Sequence, residues 1–213
     1  MSINKSSEKR FCTLYIVRHG ETDWNVKGLL QGQTDIDLNK TGIKQAKELG
    51  KTLGNIRFSI AFSSDSLRAK RTAEIIALEK KIAVQTTKAL RERRFGKYEG
   101  RPWRQVKFQG LVAKFFKLSM KERFNKAPYP GFESDEKLMA RLIPLLREIS
   151  IANLGKNVLV VTHGGILGTF LNHLGFNKGK ELPPGTINNT SYIIIQSDGS
   201  DFFIRETSGI KTD

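Results

Sequence analysis

Cysteine is almost missing from this chain: 213 residues contain one, Cys12. A single thiol excludes an internal disulfide and rules out a Cys-rich zinc site. Cys12 lies in the first apolar run and reads as a core residue. Histidine is scarce as well, with three in all. The apolar run Asn157 to Leu171 is broken by His163 and by glycines, so it is no bilayer span. Residues Met1 to Arg10 are polar and basic, and the apolar run after them is far too short for a signal peptide. The expectation is a cytoplasmic protein with no membrane contact. Internal repeats, low-complexity tracts and a convincing linker are also lacking.

Carboxylates are outnumbered, 21 against 36 lysines and arginines, for a formal charge of +15. Such a balance permits nucleic-acid binding, attraction to acidic membranes, or a pocket for anionic substrates. The cations are spread along the chain, with local clusters at Lys80-Lys81 and from Arg91 to Lys107. No aromatic-interleaved signature accompanies them, so nucleic acid is not the expected partner and most of this charge is solvated surface. With 38% hydrophobic and 27% charged residues, the composition is that of a globular chain. The length suits one domain, 11–213, preceded by a disordered or loosely held N-terminus, 1–10. The residues carry no signal for an oligomeric state.

Leu14 to Val17 is an apolar run that stops at Arg18-His19-Gly20. Short apolar runs bounded by glycine read as buried strands, and open α/β sheets bind ligands beyond the carboxyl ends of their strands. Arg18 and His19 then stand at the lip of a sheet. A histidine can attack phosphorus through a ring nitrogen, and an adjacent arginine can fork onto phosphate oxygens. The same residues also fit a strand end with two polar side chains facing water.

Downstream, Asn25 to Asn39 reads as a loop. Thr41 to Leu53 is an amphipathic helix, with Ile43, Ala46, Leu49 and Leu53 at helical spacing and Asn39 or Thr41 as its N-cap. Phe58 to Phe62 reads as a strand, and Ser63 to Ser66 supplies caps for a helix from Leu67 to Leu78. That places Arg68 in the helix's first turn, again beyond a strand's carboxyl end. A short third strand is expected at Ile82 to Gln85, loop at Leu90 to Gly96, and helical material from Trp103 to Phe124. After a turn at Pro128 to Gly131, Ser134 to Ile149 is helical, with Pro144 a candidate kink. Asn157 to Thr162 is the most strand-like run and ends in His163-Gly164-Gly165, with a helix following through Leu174. Ser191 to Gln196 and Phe202 to Arg205 read as a hairpin. The expected fold is α/β: a three-layer sandwich with a mostly parallel central sheet, one antiparallel edge strand, and helices on both faces.

Two strands thus end alike, in Arg18-His19-Gly20 and Thr162-His163-Gly164. With Arg68 at the rim, the set resembles the histidine phosphatase superfamily, also called phosphoglycerate-mutase-like. The resemblance runs from Leu14 to about Tyr192, anchored on Arg18 to Thr22, Ser63-Ser64-Asp65 with Arg68, Glu92, and His163-Gly164. A narrower likeness is to TIGAR-type fructose-2,6-bisphosphatases, through Leu90 to Gly100, Ala61 to Asp65 and Gln31-Gly32-Gln33. Pro128 to Ser134 is similar to the family's Pro-Gly-Gly-Glu-Ser/Thr, with Phe132 in place of a glycine. The chain is shorter than TIGAR-type members, which implies a different lid over the substrate.

The resemblance implies a histidine acid phosphatase-type phosphoric monoester hydrolase. His19 would take the phosphoryl group, and Glu92 would protonate the leaving alkoxide and later accept a proton from water. Arg18, Arg68 and a protonated His163 would surround the equatorial oxygens, with Asn25 as a neutral donor. Gln31, Gly32, Arg93 and Gly164 are carried over as substrate-binding residues. With three cations in place, no metal ion or other cofactor is required. The partner is a small phosphorylated metabolite, a sugar bisphosphate such as fructose 2,6-bisphosphate or a phosphoglycerate. Each residue has a plainer reading beside this one: Arg68 as an exposed helix arginine, and Glu92 as the ion-pair partner of Arg91, Arg93 and Arg94. Those arginines would also lower its pKa, against a general acid's need. Glu21 and Thr22 are read as loop geometry, Asp35 and Asp37 as turn residues, His173 as structural, and Trp103 as core or lid packing. Two other functions stay open here, a phosphoglycerate mutase and a catalytically idle anion- or nucleic-acid-binding module.

Overall fold

The computed structural model describes residues 10–106, 110–115, 117–183 and 185–211. In chain order the elements are β1 (Cys12–Arg18), α1 (Asp23–Val26), α2 (Lys40–Thr52), β2 (Phe58–Ser64), α3 (Leu67–Lys80) and β3 (Val84–Thr87). Then come α4 (Trp103–Val106), α5 (Gly110–Phe115), α6 (Met120–Arg123), α7 (Asp135–Ala152), β4 (Asn157–Thr162), α8 (Gly164–His173), β5 (Ile187–Ser197) and β6 (Phe202–Ile210).

The strands form one sheet in the order β3-β2-β4-β1-β5-β6. β3, β2, β4 and β1 pair in parallel, whereas β5 runs antiparallel to both β1 and β6. The expected antiparallel strand is therefore β5, one place in from the margin. Continuous apolar strands without alternation need cover on both faces, and Val158 to Val161 of β4 are fully buried. On one face, Leu49 of α2 and Ala69, Ala73 and Ile76 of α3 pack against Val17, Ala61, Leu159 and Val161. On the other, α7 and α8 bring Leu138, Leu142, Leu146, Ile166, Leu167 and Phe170 onto Leu14, Ile16, Val158 and Val160. Cys12 belongs to this second cluster, and burial pushes its thiol up to about 11.

Local capping explains most helix starts. Asn39 Oδ1 accepts the Gly42 N–H at 2.8 Å and opens α2. Ser66 occupies the N-cap position of α3, but its hydroxyl caps nothing; Asp35 Oδ1, from the preceding loop, accepts the Leu67 N–H at 2.7 Å. α3 runs to Lys80, and Lys81 closes it in the left-handed conformation. That turn delays β3 to Val84, beyond the strand start expected at Ile82. The loop expected from Asn25 starts later, because α1 takes in Asn25 and Val26, and Thr22 and Asn25 close that helix's start into a capping box. α7 is helical across Pro144.

Within the helical material expected from Trp103 to Phe124, the described residues are helical in α4, α5 and α6, and residues 107–109 and 116 lie outside the described residues. These segments form a third apolar cluster, in which Leu30, Val106, Val112, Phe115, Tyr129 and Phe132 pack together. The loosely held N-terminus expected at 1–10 lies, for residues 1–9, outside the described residues. Among the described residues, no helix is long and apolar enough to cross a membrane.

Candidate active site

β1 and β4 are hydrogen-bonded neighbours, with Arg18 opposite Thr162. Their carboxyl ends therefore deliver His19 and His163 side by side, with ring centroids 5.2 Å apart. Both rings are buried. A carbonyl oxygen can only accept a hydrogen bond, and the oxygen of Gly20 lies 2.7 Å from His19 Nδ1. Nδ1 must therefore carry the proton, which leaves the Nε2 lone pair free. Burial, then Arg68 and Arg18, push the His19 pKa well below 6.5, while the Gly20 bond opposes them. The ring is a neutral nucleophile with a fixed tautomer.

The turn behind it is tight. A Cβ on Gly42, in the first turn of α2, would stand 2.1 Å from the carbonyl oxygen of Glu21. The helix thus presses directly on the His19-Gly20-Glu21 turn. Thr72 Oγ1 accepts the Gly20 N–H at 3.0 Å, and Glu21 bonds Asn39 and Gln45. Glu21 and Thr22 shape the loop, as their plainer reading expected.

Arg68 is fully buried, and its guanidinium donates to the carbonyls of Thr34 (2.9 Å) and Gly32 (2.7 Å). Burial lowers its pKa to about 10, so it remains a cation at neutral pH. Arg18 donates to the Ile187 carbonyl. The Nε atoms of both arginines are buried without a partner, as are both ring nitrogens of His163. Buried polar atoms are nearly always satisfied. Four such atoms at one cavity mark a place built for an acceptor-rich ligand. Burial, Arg68, His19 and Arg18 also drive the His163 pKa well below 6.5. Without a ligand, burial beside these cations favours the neutral ring; the protonated His163 expected from the sequence belongs to the site with phosphate bound. A phosphate dianion would reverse that balance.

Glu92 is held by the chain at the start of α8. Its carboxylate accepts the N–H groups of Gly165 (2.9 Å), Ile166 (3.1 Å) and Arg93 (2.7 Å). An anion at a helix N-terminus is favoured by the unpaired N–H groups and the dipole. Gly165 is required here, since a Cβ would lie 2.6 Å from Glu92 Oε1. The side chains of the arginines flanking Glu92 turn elsewhere: Arg91 forks onto Asp65, Arg93 donates through one Nη to Asp135, and Arg94 Nε donates to the Gly131 carbonyl. Asn25 Oδ1 is occupied by Thr22 and Asn189, which leaves its N–H groups as donors for a ligand.

Arg18, His19, Asn25, Arg68 and Glu92 line one cavity of about 340 Å³, together with Gln31, Gly32, Arg93 and Gly164. Nine of the ten residues singled out in the sequence thus share it, and the tenth, His163, lies behind it against His19. Arg93 is the least free of them, bonded to the Glu133 carbonyl, Asp135 and Thr169. Trp103 also lines the cavity, and His173 stacks on Phe124 instead. Among the described residues, no cluster of His, Cys, Asp and Glu could hold a metal ion. Two participants escaped the sequence reading. Asn189 donates to the His19 carbonyl at 3.0 Å, and Arg141 ties the Ala89 and Glu92 carbonyls to Glu133. Neither lies in a motif, and no signal in the sequence singled them out.

A neutral, tautomer-fixed histidine facing two buried guanidinium groups at the ends of parallel strands defines a class, that of α/β enzymes of histidine-based phosphoryl transfer. Within it, this chain belongs to the histidine phosphatase superfamily (branch 1), whose family model matches residues 14–208. It is 36% identical over 162 residues to the phosphatase PhoE of Bacillus subtilis, described as uncharacterized, covering 75% of each chain. It is 37% identical over 179 residues to the fructose-2,6-bisphosphatase TIGAR of Xenopus tropicalis, covering 75% of this chain and 62% of that one. The phosphoserine phosphatase of Entamoeba histolytica, solved with 3-phosphoglyceric acid, superposes with a TM-score of 0.76 at 26% identity, over 94% of this chain and 98% of that one. Phosphoglycerate mutases stand among the relatives too. The family and its phosphatase relatives make the chain a phosphoric monoester hydrolase of the histidine phosphatase type.

Proposed function

We propose that the chain is a metal-independent phosphomonoesterase that hydrolyses a small phosphorylated metabolite through a phosphohistidine. The observation that supports this most is the 2.7 Å contact between His19 Nδ1 and the Gly20 carbonyl, which leaves Nε2 as the only free lone pair on the ring. Nε2 attacks phosphorus, and the bond from phosphorus to the ester oxygen breaks. Glu92, a carboxylate before substrate binds, takes up a proton with the incoming monoprotonated ester and gives it to the departing alkoxide. Water then attacks the phosphohistidine, Glu92 takes its proton, and the P–N bond breaks to release phosphate. Arg18, Arg68 and His163 offer the unpartnered donors that spread charge over the equatorial oxygens. Phosphate binding protonates His163 on this reading.

A second reading is a mutase, favoured by the Cytophaga hutchinsonii phosphoglycerate mutase at 36% identity over 169 residues. Its first half-reaction is the same, and only the acceptor of the phosphoryl group differs. One panel separates the two: fructose 2,6-bisphosphate, 2,3-bisphosphoglycerate, 3-phosphoglycerate, phosphoserine and p-nitrophenyl phosphate, with EDTA, beside His19→Ala. Phosphate release that survives EDTA and falls by about 10⁴-fold or more in the mutant is expected. Transfer between phosphoglycerates without phosphate release would favour the mutase. Equal inertness of wild type and mutant would overturn both and leave an idle binding module.

A further inference from the structure

The cavity's arginines differ in how they are neutralised, and the difference bears on the leaving group. Four arginines line it among the described residues: Arg18, Arg68, Arg93 and Arg123. Arg18 and Arg68 bond only carbonyl oxygens and keep an unpartnered Nε each. They stand beside the two histidines, where one phosphoryl group fits. Arg93 and Arg123 are each already paired with a carboxylate, Asp135 and Glu181. Their remaining contacts are also made. Arg93 reaches the Glu133 carbonyl and Thr169 and lies 5.2 Å above the Phe132 ring. Arg123 lies 5.9 Å above the Phe115 ring.

The rest of the wall adds no further cation among the described residues: Trp24, Leu30, Phe95, Trp103, Phe115 and Phe132 are apolar, and Asn25, Gln31, Thr169, Asn172 and Thr186 are polar but neutral. Phe132 is the residue that replaces a glycine of the family's pattern, and it is buried against Phe95, Phe115 and Tyr129. A cavity of about 340 Å³ lies within the range of small-molecule sites, about 300–1,000 Å³. It has room for a leaving group beyond the phosphate. A second anion entering it would meet two carboxylates whose arginines are taken, and burying a charge without its own partner is costly.

We propose that the preferred substrates are phosphomonoesters with a single anionic group, whose leaving group is uncharged and apolar or aromatic, and that the site discriminates against a second phosphate or carboxylate. This rests on the phosphatase reading above and narrows it. Fructose 2,6-bisphosphate and the phosphoglycerates become poor substrates, despite the names of the relatives.

The test compares esters that differ only in the second charge. Phenyl phosphate is set against 4-carboxyphenyl phosphate, and glycerol 3-phosphate against 3-phosphoglycerate, each with His19→Ala as the control. The expected result is a kcat/KM at least about tenfold higher for the singly anionic member of each pair. In Glu181→Gln, which releases Arg123 from its carboxylate, the ratio should shrink by about fivefold or more through improved binding of the carboxylated ester. Equal rates, or a preference for the carboxylated members, with His19-dependent turnover intact would overturn the charge discrimination while leaving the phosphatase reading standing. Absence of turnover on every ester, in wild type and His19→Ala alike, would overturn both.

Discussion

At the scale of single residues, the site is governed by what each polar atom is prevented from doing. Asn25 is the sharpest case. Its Oδ1 faces three donors, the Thr22 N–H and Oγ1, each at 3.1 Å, and Asn189 Nδ2 at 3.2 Å. A side-chain amide so loaded on its oxygen can offer a ligand only N–H groups. The same Asn189 amide donates to the His19 carbonyl, next to the nucleophile. Asn189 is therefore a positioning residue, acting through Asn25 and His19. Asn189→Asp keeps the shape but replaces both donors with an acceptor. It should lower kcat/KM by about a hundredfold, and Asn189→Ala by about tenfold, with one lost buried hydrogen bond worth roughly 1 kcal/mol. Melting temperatures of the two variants should bracket each other closely. If Asp is no worse than Ala, the orienting role is wrong. This residue was invisible in the sequence for a physical reason: it sits where β5 shifts register between Ile187 and Tyr192, and Thr190 takes a positive φ. An irregularity of that kind joins positions 170 residues apart without leaving a pattern. Glu92 shows the converse. Its arginine neighbours in the chain suggested a charged surface knot, but side-chain direction is set by partners that the order of residues does not reveal.

Among elements, α2 matters for its place behind the nucleophile as well as for its core face. Its first turn meets the Glu21 carbonyl so closely that Gly42 has no room for a methyl group, with 2.1 Å to the nearest atom. The obstacle is backbone, which cannot swing aside. Gly42→Ala should cost about 1–3 kcal/mol in a urea titration, in line with overpacking elsewhere. It should also lower kcat in the fraction that stays folded, because the displaced turn carries His19. Normal kcat at reduced stability would show that the turn absorbs the shift. The elements that the sequence made legible are those with one unbroken pattern, a continuous apolar run in β4 and helical spacing in α2. β4 spans Asn157–Thr162 as expected, and α2 differs by one residue at each end. Around α4 to α6 the sequence shows helical material without a clean period, and the described residues are helical in α4, α5 and α6. α6 opens on a Ser119–Glu122 capping box, and α4 and α5 give Val106, Val112 and Phe115 to the third cluster. The paired charges of the cavity wall, Arg93 with Asp135 and Arg123 with Glu181, join positions far apart in the chain and could not be read beforehand, whereas the catalytic pole beyond β1 and β4 could.

For the molecule as a whole, the surplus of +15 sits uneasily with a site that keeps two histidines neutral. The consequence appears as pH-dependent stability. In the unfolded chain a histidine titrates near 6.5, but burial and the neighbouring arginines hold His19 and His163 well below that value in the fold. Below about pH 6.5 the unfolded state therefore binds protons that the folded state refuses, and stability falls as the pH falls, by up to about 1.4 kcal/mol per pH unit for each histidine. The carboxylates do not contribute in the same window. The Arg91 fork holds Asp65 below its usual 3.8. Glu133, where burial is outweighed by the Arg141 fork and the Arg94 N–H, lies below 4.5. Both act in the same direction, but only at more acid pH. Urea unfolding measured from pH 7 down to 5 should thus show a steep loss in the wild type. His163→Gln, which has no titrating ring, should lose roughly half of that slope. His19→Gln should do the same, and the double variant should be nearly flat between pH 6.5 and 5. A single variant with the wild-type slope would mean that its histidine takes up a proton in the folded chain, and that the positive field of Arg18 and Arg68 is weaker at that ring than their burial implies.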